Sequence, residues 1–138
     1  MDSRESHISK RRSLSSSTGR MGEQQACEYL EGLGHVILER NYRASHKEID
    51  IISLSEGNIL HIVEVKSRTE PVTAAPELNV DRNKQRNLAA AASAYLNSQD
   101  KFASADMEVV FDVITVVFSP SGTKIEYYPQ AYIPTYVR

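Results

Sequence analysis

An α/β fold with a central mixed β-sheet flanked by helices is what this sequence predicts, on three observations. Two stretches, "GRMGEQQACEYLEGLGH" and "VDRNKQRNLAAAASAYLNSQ", carry apolar residues at helical spacing. Between them lie three apolar, β-branched runs, the last two separated by "SEGN". After the second helix comes "MEVVFDVITVVFS", almost continuously apolar, as a central strand buried on both faces would be. Helices and strands in this order form one domain, with helices packed on a mixed sheet.

The elements follow in order. Residues 1–18 are Ser-rich and polar, with Lys10, Arg11 and Arg12 together. They offer too little apolar surface to order themselves, so a disordered tail is expected there and a single domain over 19–138. The alternative is a basic arm touching phosphates. In the first helix Met21, Ala26, Tyr29, Leu30 and Leu33 fall near helical spacing, and Gly34 is a natural stop. "HVILERNYR" is a first strand, "KEIDIISL" a second and "ILHIVEVKSR" a third. Gly57 and Asn58 suit a tight hairpin between the last two. "TEPVTAAPELN" is a loop. Leu88, Ala91, Ala92, Tyr95 and Leu96 give the second helix its apolar stripe. "KIEYYPQAYI" is expected to add a short edge strand, limited by Pro129.

The totals narrow the function. A chain of 138 residues, 41% hydrophobic and 25% charged, can build a real core. Its net charge of -2 sets it apart from proteins that coat nucleic acid without specificity, so any such contact must come from a local patch or a metal site. Cys27 has no partner cysteine in the chain, which fits a reducing cytoplasm, and its helical setting suits a small buried packing residue. No apolar run reaches the roughly 20 residues of a membrane span, and the N-terminus lacks a secretory core. The expectation is a cytoplasmic protein with no membrane partner.

The third strand contains an oddity. Glu64 and Lys66 stand two apart within apolar surroundings, so they share one face. Folding the hairpin about Gly57 sets Asp50 opposite Glu64 and Glu48 opposite Lys66. Directly opposed residues have Cβ atoms about 4.5–5.5 Å apart, and like charges so placed repel. A divalent cation would offset that repulsion, because hard Mg²⁺ prefers carboxylate oxygens and keeps water ligands. Lys66 could steady a developing negative charge. That set fits metal-dependent phosphodiester hydrolysis. The competing reading is a surface ladder of ion pairs, Glu48 with Lys66 and Asp50 with another cation.

The ordered series "GRMGEQQACEYLEGLGHVILERNYR", "EIDII", "VEVKSR", "NVDRNKQRNL", "SAYL" and "FDVI" resembles the YraN-type family of uncharacterised bacterial proteins. "EID…VEVK" within it is similar to the D…ExK core of the PD-(D/E)XK nuclease superfamily. The resemblance covers about Gly19 to Thr115. It implies a restriction-endonuclease-like fold similar to archaeal Holliday-junction resolvases, and a Mg²⁺-dependent endonuclease (Mn²⁺ as substitute) acting on DNA, branched or structured. By position it implies Asp50 and Glu64 as metal ligands, the Val65 carbonyl as a third, and Lys66 as the catalytic lysine. Glu23 on the first helix would complete the site, with Glu48 behind the ligands. Lys84 and Gln85 match the family's basic/amide position on the second helix and would meet a phosphate.

Other residues are less decided. Arg43 and Arg68, with Arg40, Lys47, Arg82 and Arg86, either track a phosphate backbone or solubilise the surface. An arginine commonly precedes the family's Phe-Asp pair, where this chain has Val110, and Asp112 is expected to hold the sheet rather than act in chemistry. His35, His46 and His61 show no metal-ligand spacing, and His61 falls on the face away from Glu64. Tyr127, Tyr128, Tyr132 and Tyr136 suit a core or a dimer contact more than base stacking. A symmetric DNA junction would need two active sites, hence a homodimer. Two non-enzymatic readings remain: a nucleic-acid-binding module without catalysis, and a protein-interaction scaffold.

Overall fold

The structure is a computed structural model that describes residues 3–70, 80–102 and 106–133, with side chains from residue 17 onward. Helix α1 (Ser3–Gly32) leads into strands β1 (Val36–Ala44), β2 (Lys47–Ser55) and β3 (Ile59–Thr69). Helix α2 (Arg82–Ser98), a short 3₁₀ turn at Asp100–Phe102, and strands β4 (Glu108–Ser119) and β5 (Gly122–Tyr132) follow. The five strands form one sheet in the order β1-β2-β3-β4-β5. Only the β3–β4 pair is parallel. The mixed α/β sheet is therefore as the sequence predicts. The parallel step falls where α2 intervenes, since a parallel pair needs a crossover.

Each sheet face has its own core. Ala26, Cys27 and Leu30 of α1 meet Ile51, Val63, Ile114 and Val116 on one face. Leu88, Ala89, Ala91, Ala92 and Tyr95 of α2 meet Ile49, Ile52, Leu60, Ile62, Phe111 and Val113 on the other. β3 and β4 are thus covered on both sides, which explains their nearly unbroken apolar sequence. Cys27 is buried as expected, and burial raises its thiol pKa.

The stripe of α1 differs in detail from expectation. Met21 and Leu33 are each 53% exposed, and the buried line runs through Gly22, Ala26, Cys27 and Leu30. Small residues are used because the helix comes very close to β3. A Cβ on Gly22 would fall 1.7 Å from the Ser67 hydroxyl oxygen. The helix also begins in the Ser-rich stretch read as a tail. No Gly or Pro interrupts that stretch before Gly19, so nothing in it breaks helical backbone.

β5 is longer than the short edge strand expected. It keeps Pro129 by slipping register: Val113 pairs with Tyr128 but Phe111 with Tyr132. The extra residues bulge out, Gln130 takes φ 49°, and its N–H donates to the Asp112 carboxylate at 2.9 Å. Most of the loop expected at "TEPVTAAPELN", and Tyr136, lie outside the described residues.

Candidate functional site

The hairpin has the register that folding about Gly57 predicts. The ladder runs from Ser55 opposite Ile59 to Ile51 opposite Val63. One residue further would place Asp50 opposite Glu64, but the ladder ends there. Asp50 turns its side chain into the gap, and Oδ2 accepts a hydrogen bond from the Val65 N–H at 2.8 Å. A side-chain carboxylate thus takes a main-chain donor that a continuing ladder would have used. β2 bends at this point, since Ile49 and Ile51 enter opposite cores although they are two residues apart.

Asp50 and Glu64 are close enough to feel each other. Burial, then the charge of Glu64, push the Asp50 pKa from its ordinary range up to about 7, against the opposing Val65 hydrogen bond. Glu64 itself is only 7% exposed. Its cationic partner is Lys84 on α2, whose Nζ lies 2.7 Å from Glu64 Oε1. Burial works against the Lys84 charge, but the Glu64 hydrogen bond and the nearby carboxylates outweigh it and raise the pKa. Asp81 caps α2 by accepting from the Lys84 N–H at 2.8 Å, which fixes the first turn that carries this lysine.

Glu23 approaches from the α1 side, on the turn that Gly22 lets down onto β3. Burial raises its pKa, a side-chain hydrogen bond to Asn41 opposes that, and the charge of Glu48 adds to it. Glu23 also contributes to the Asp50 shift. Asn41 holds φ 52°, a conformation asparagine tolerates better than most residues.

The remaining expected residues are spread more widely. Glu48 is cross-strand from Arg43, 3.7 Å from its guanidinium, and not in a ladder pair with Lys66. Lys66 follows Val65 on β3, half-buried. Gln85 donates from Nε2 to the Val80 carbonyl at 2.7 Å, so its amide braces the chain entering α2. Arg68 is exposed and bonds the Ser67 carbonyl. Beside the Glu64–Lys84 pair lies a groove of about 350 Å³, lined by His46, Lys47, Glu48, Asp81, Asn83, Lys84, Asn87 and Leu88. Lys84 is what pairing arithmetic along the strands could not supply as the partner of Glu64. Its signal is position in the first turn of a helix that must cross over this strand pair.

The donors suit a hard cation. They are oxygens, two of them on carboxylates under mutual repulsion. Among the described residues no three His, Cys, Asp or Glu side chains converge in a metal-binding group, so a cation held by Asp50 and Glu64 would fill its sphere with main-chain oxygen and water.

Away from this site the structure gathers a second polar group that sequence reasoning set aside. Asp112 is fully buried and receives the Tyr127 hydroxyl at 2.6 Å and the Gln130 N–H. Its Oδ2 lies 2.6 Å from His61 Nδ1, and His61 Nε2 lies 2.7 Å from Ser55 Oγ. Asp112 does hold the sheet, as expected, with a histidine and a tyrosine for partners. Burial and the neighbouring tyrosine-directed carboxylate raise the Tyr127 pKa.

Comparison with known proteins gives a consistent family. The model of "Uncharacterised protein family UPF0102" matches residues 22–116. A UPF0102 protein of Bacteroides thetaiotaomicron is 40% identical over 116 residues, 84% of this chain and 92% of that protein. One from Desulforamulus reducens is 38% identical, covering 76% and 84%. One from Chlorobium chlorochromatii is 45% identical, covering 71% and 72%.

Proposed function

The chain belongs to the uncharacterised protein family UPF0102, the YraN-type branch of the PD-(D/E)XK nuclease superfamily, and on that premise we propose that it is a Mg²⁺-dependent endonuclease acting on branched or structured DNA. The observation that carries the reading is the Asp50–Glu64 pair, two carboxylates forced together where β2 and β3 part. A divalent cation held there would lower the pKa of a water and shield the phosphate's charge. Asp50 and Glu64 hold the cation, with the Val65 main chain beside them. Lys66 steadies the negative charge that develops on the phosphate, and Glu23 acts from α1 through its charge on Asp50, outside the cation's ligands. Lys84, at the mouth of the groove, leaves Glu64 for a phosphate oxygen when a cation takes its place. Arg43, beside Glu48, and the exposed Arg68 would meet the DNA backbone beyond the groove. A symmetric junction requires two such sites, and so a homodimer.

The test is incubation of purified protein with branched and linear DNA in Mg²⁺ or Mn²⁺. Cleavage is expected with either metal and not in chelator. Loss of at least a hundredfold in rate is expected for Asp50→Ala and Lys66→Ala. Metal-dependent cleavage that survives both substitutions places the activity elsewhere.

One observation favours a second reading. The Lys84 ammonium already compensates Glu64 without any cation. A nucleic-acid-binding module without catalysis would need no more than that. It is the better account if DNA binds with a steep salt dependence and no metal gives cleavage.

A further inference from the structure

The second polar group forms a relay with a direction. Asp112 Oδ2 already accepts the Tyr127 O–H and stands 2.6 Å from His61 Nδ1. A carboxylate only accepts, so the hydrogen between these atoms belongs to Nδ1. In the neutral imidazole His61 Nε2 is then the acceptor, and the Ser55 hydroxyl, 2.7 Å away, is placed to donate to it. Serine, imidazole and carboxylate are in the order and at the spacing that turn a hydroxyl into a nucleophile.

The supports are rigid. Asp112 and Ser53 are fully buried, and His61 is 7% exposed. The Gln130 N–H at the β5 bulge fixes the second Asp112 oxygen. His35 packs against His61 with ring centroids 4.3 Å apart and planes tilted by 44°, and is itself tied to Ser53 Oγ at 2.9 Å. These contacts leave the His61 ring little freedom to turn. The two serines differ in a telling way. Ser53 is sealed in the core, whereas Ser55 is half-buried at the end of β2, next to the turn. Only Ser55 can meet a reagent from solvent.

We propose that Ser55 is an activated nucleophile that accepts an acyl or phosphonyl group from a compact activated ester or fluorophosphonate, with His61 as its base and Asp112 as the group that orients His61. The site is separate from the acidic pair. It lies roughly 17 Å along β2 from Asp50, by the rise of an extended strand. It also belongs to the α1 face, with Val63 and Ile114, while Glu64 reaches to α2. With a fluorophosphonate, a bond forms from Ser55 Oγ to phosphorus and the phosphorus–fluorine bond breaks. Fluoride leaves, and the hydroxyl proton passes to His61 Nε2 and then to water. The geometry carries this one covalent step, so the adduct is stoichiometric.

The experiment treats the full chain with a small alkyl fluorophosphonate and locates the adduct by peptide mass spectrometry. The native protein is expected to carry one adduct, on Ser55, and the urea-unfolded protein none. Ser55→Ala removes the adduct. Tyr127→Phe, which keeps the relay, retains it. His61→Gln lowers the labelling rate at least a hundredfold while its circular dichroism stays native. If His61→Gln fails to fold, the native-against-unfolded comparison decides alone. No adduct on Ser55 of the native wild-type chain overturns the proposal, and so does equal labelling of native and unfolded chains. Either outcome would show a buried network that only holds the sheet together.

Discussion

At Asp50 the fold holds a carboxyl that water would leave ionised at neutral pH. Burial and the Glu64 charge raise its pKa from 3.8 to about 7. A raised pKa in the folded state means stability that is fully present below the unfolded value and lost as pH rises through about 7. Asp50→Asn removes that loss. In metal-free buffer it should stabilise the protein at pH 8 by up to about 4 kcal/mol, from the size of the shift, and by little at pH 4. Denaturant midpoints at the two pH values check this, and a destabilised variant at pH 8 would contradict it. Such a cost is what a site kept for function carries. Lys84 is the other decisive residue. Lys84→Gln should weaken the fold by roughly 1–3 kcal/mol in chelator, since it leaves Glu64 buried without its cation, and saturating Mg²⁺ should recover most of the loss. Equal stability loss with and without metal would break the link between Lys84 and the proposed cation.

At the scale of elements, two contacts set the architecture around the site. α1 rests on β3 through Gly22, where a Cβ would strike Ser67. Gly22→Ala should destabilise by roughly 1–3 kcal/mol despite the better helix propensity of alanine. Adding Ser67→Gly should recover much of this, and a double-mutant cycle measures the recovery. Additive losses would mean the two residues do not meet. β4 and β5 are clamped by Asp112, which binds Tyr127, Gln130 and His61. Asp112→Ala leaves three donors facing a cavity and should cost roughly 3–5 kcal/mol by chemical denaturation.

The elements also show how much the sequence disclosed. From Ile51 to Ser55 the parity of β2 and β3 was legible because side chains alternate along the paired residues, and the turn residues set the hairpin register. The break just before Ile51, at Asp50, was not legible. It depends on Asp50 trading a ladder position for the Val65 N–H, which pairing rules do not contain. The Lys84–Glu64 bond spans two elements that only the crossover brings together. His61 was set aside because its face points away from Glu64. That reasoning was right about the face and silent about Asp112, which stands opposite Val63 on β4 and reaches His61 with its side chain.

For the molecule as a whole, the two polar groups pull stability in opposite directions with pH. Burial, then His61, lower the His35 pKa below 6.5, against the opposing charge of Asp112. A histidine depressed in the folded state contributes stability that is present above 6.5 and lost as pH falls through its folded value. Asp50 acts the other way, losing stability as pH rises toward 7. Removing Asp50 should therefore leave a curve that rises with pH across the histidine range, and a flat or falling curve would contradict the assignment. The sheet separates the groups: the relay belongs to the α1 face and the Glu64–Lys84 pair to the α2 face. No helix among the described residues is long and apolar enough to cross a membrane. The central claim is that Asp50 and Glu64 form one divalent-cation site, and calorimetric titration of the full chain with Mn²⁺ tests it most directly. The account predicts a saturable site in the wild type and in Glu108→Gln, and its loss in both Asp50→Asn and Glu64→Gln. No binding by the wild type, or undiminished binding by the two site variants, would contradict it.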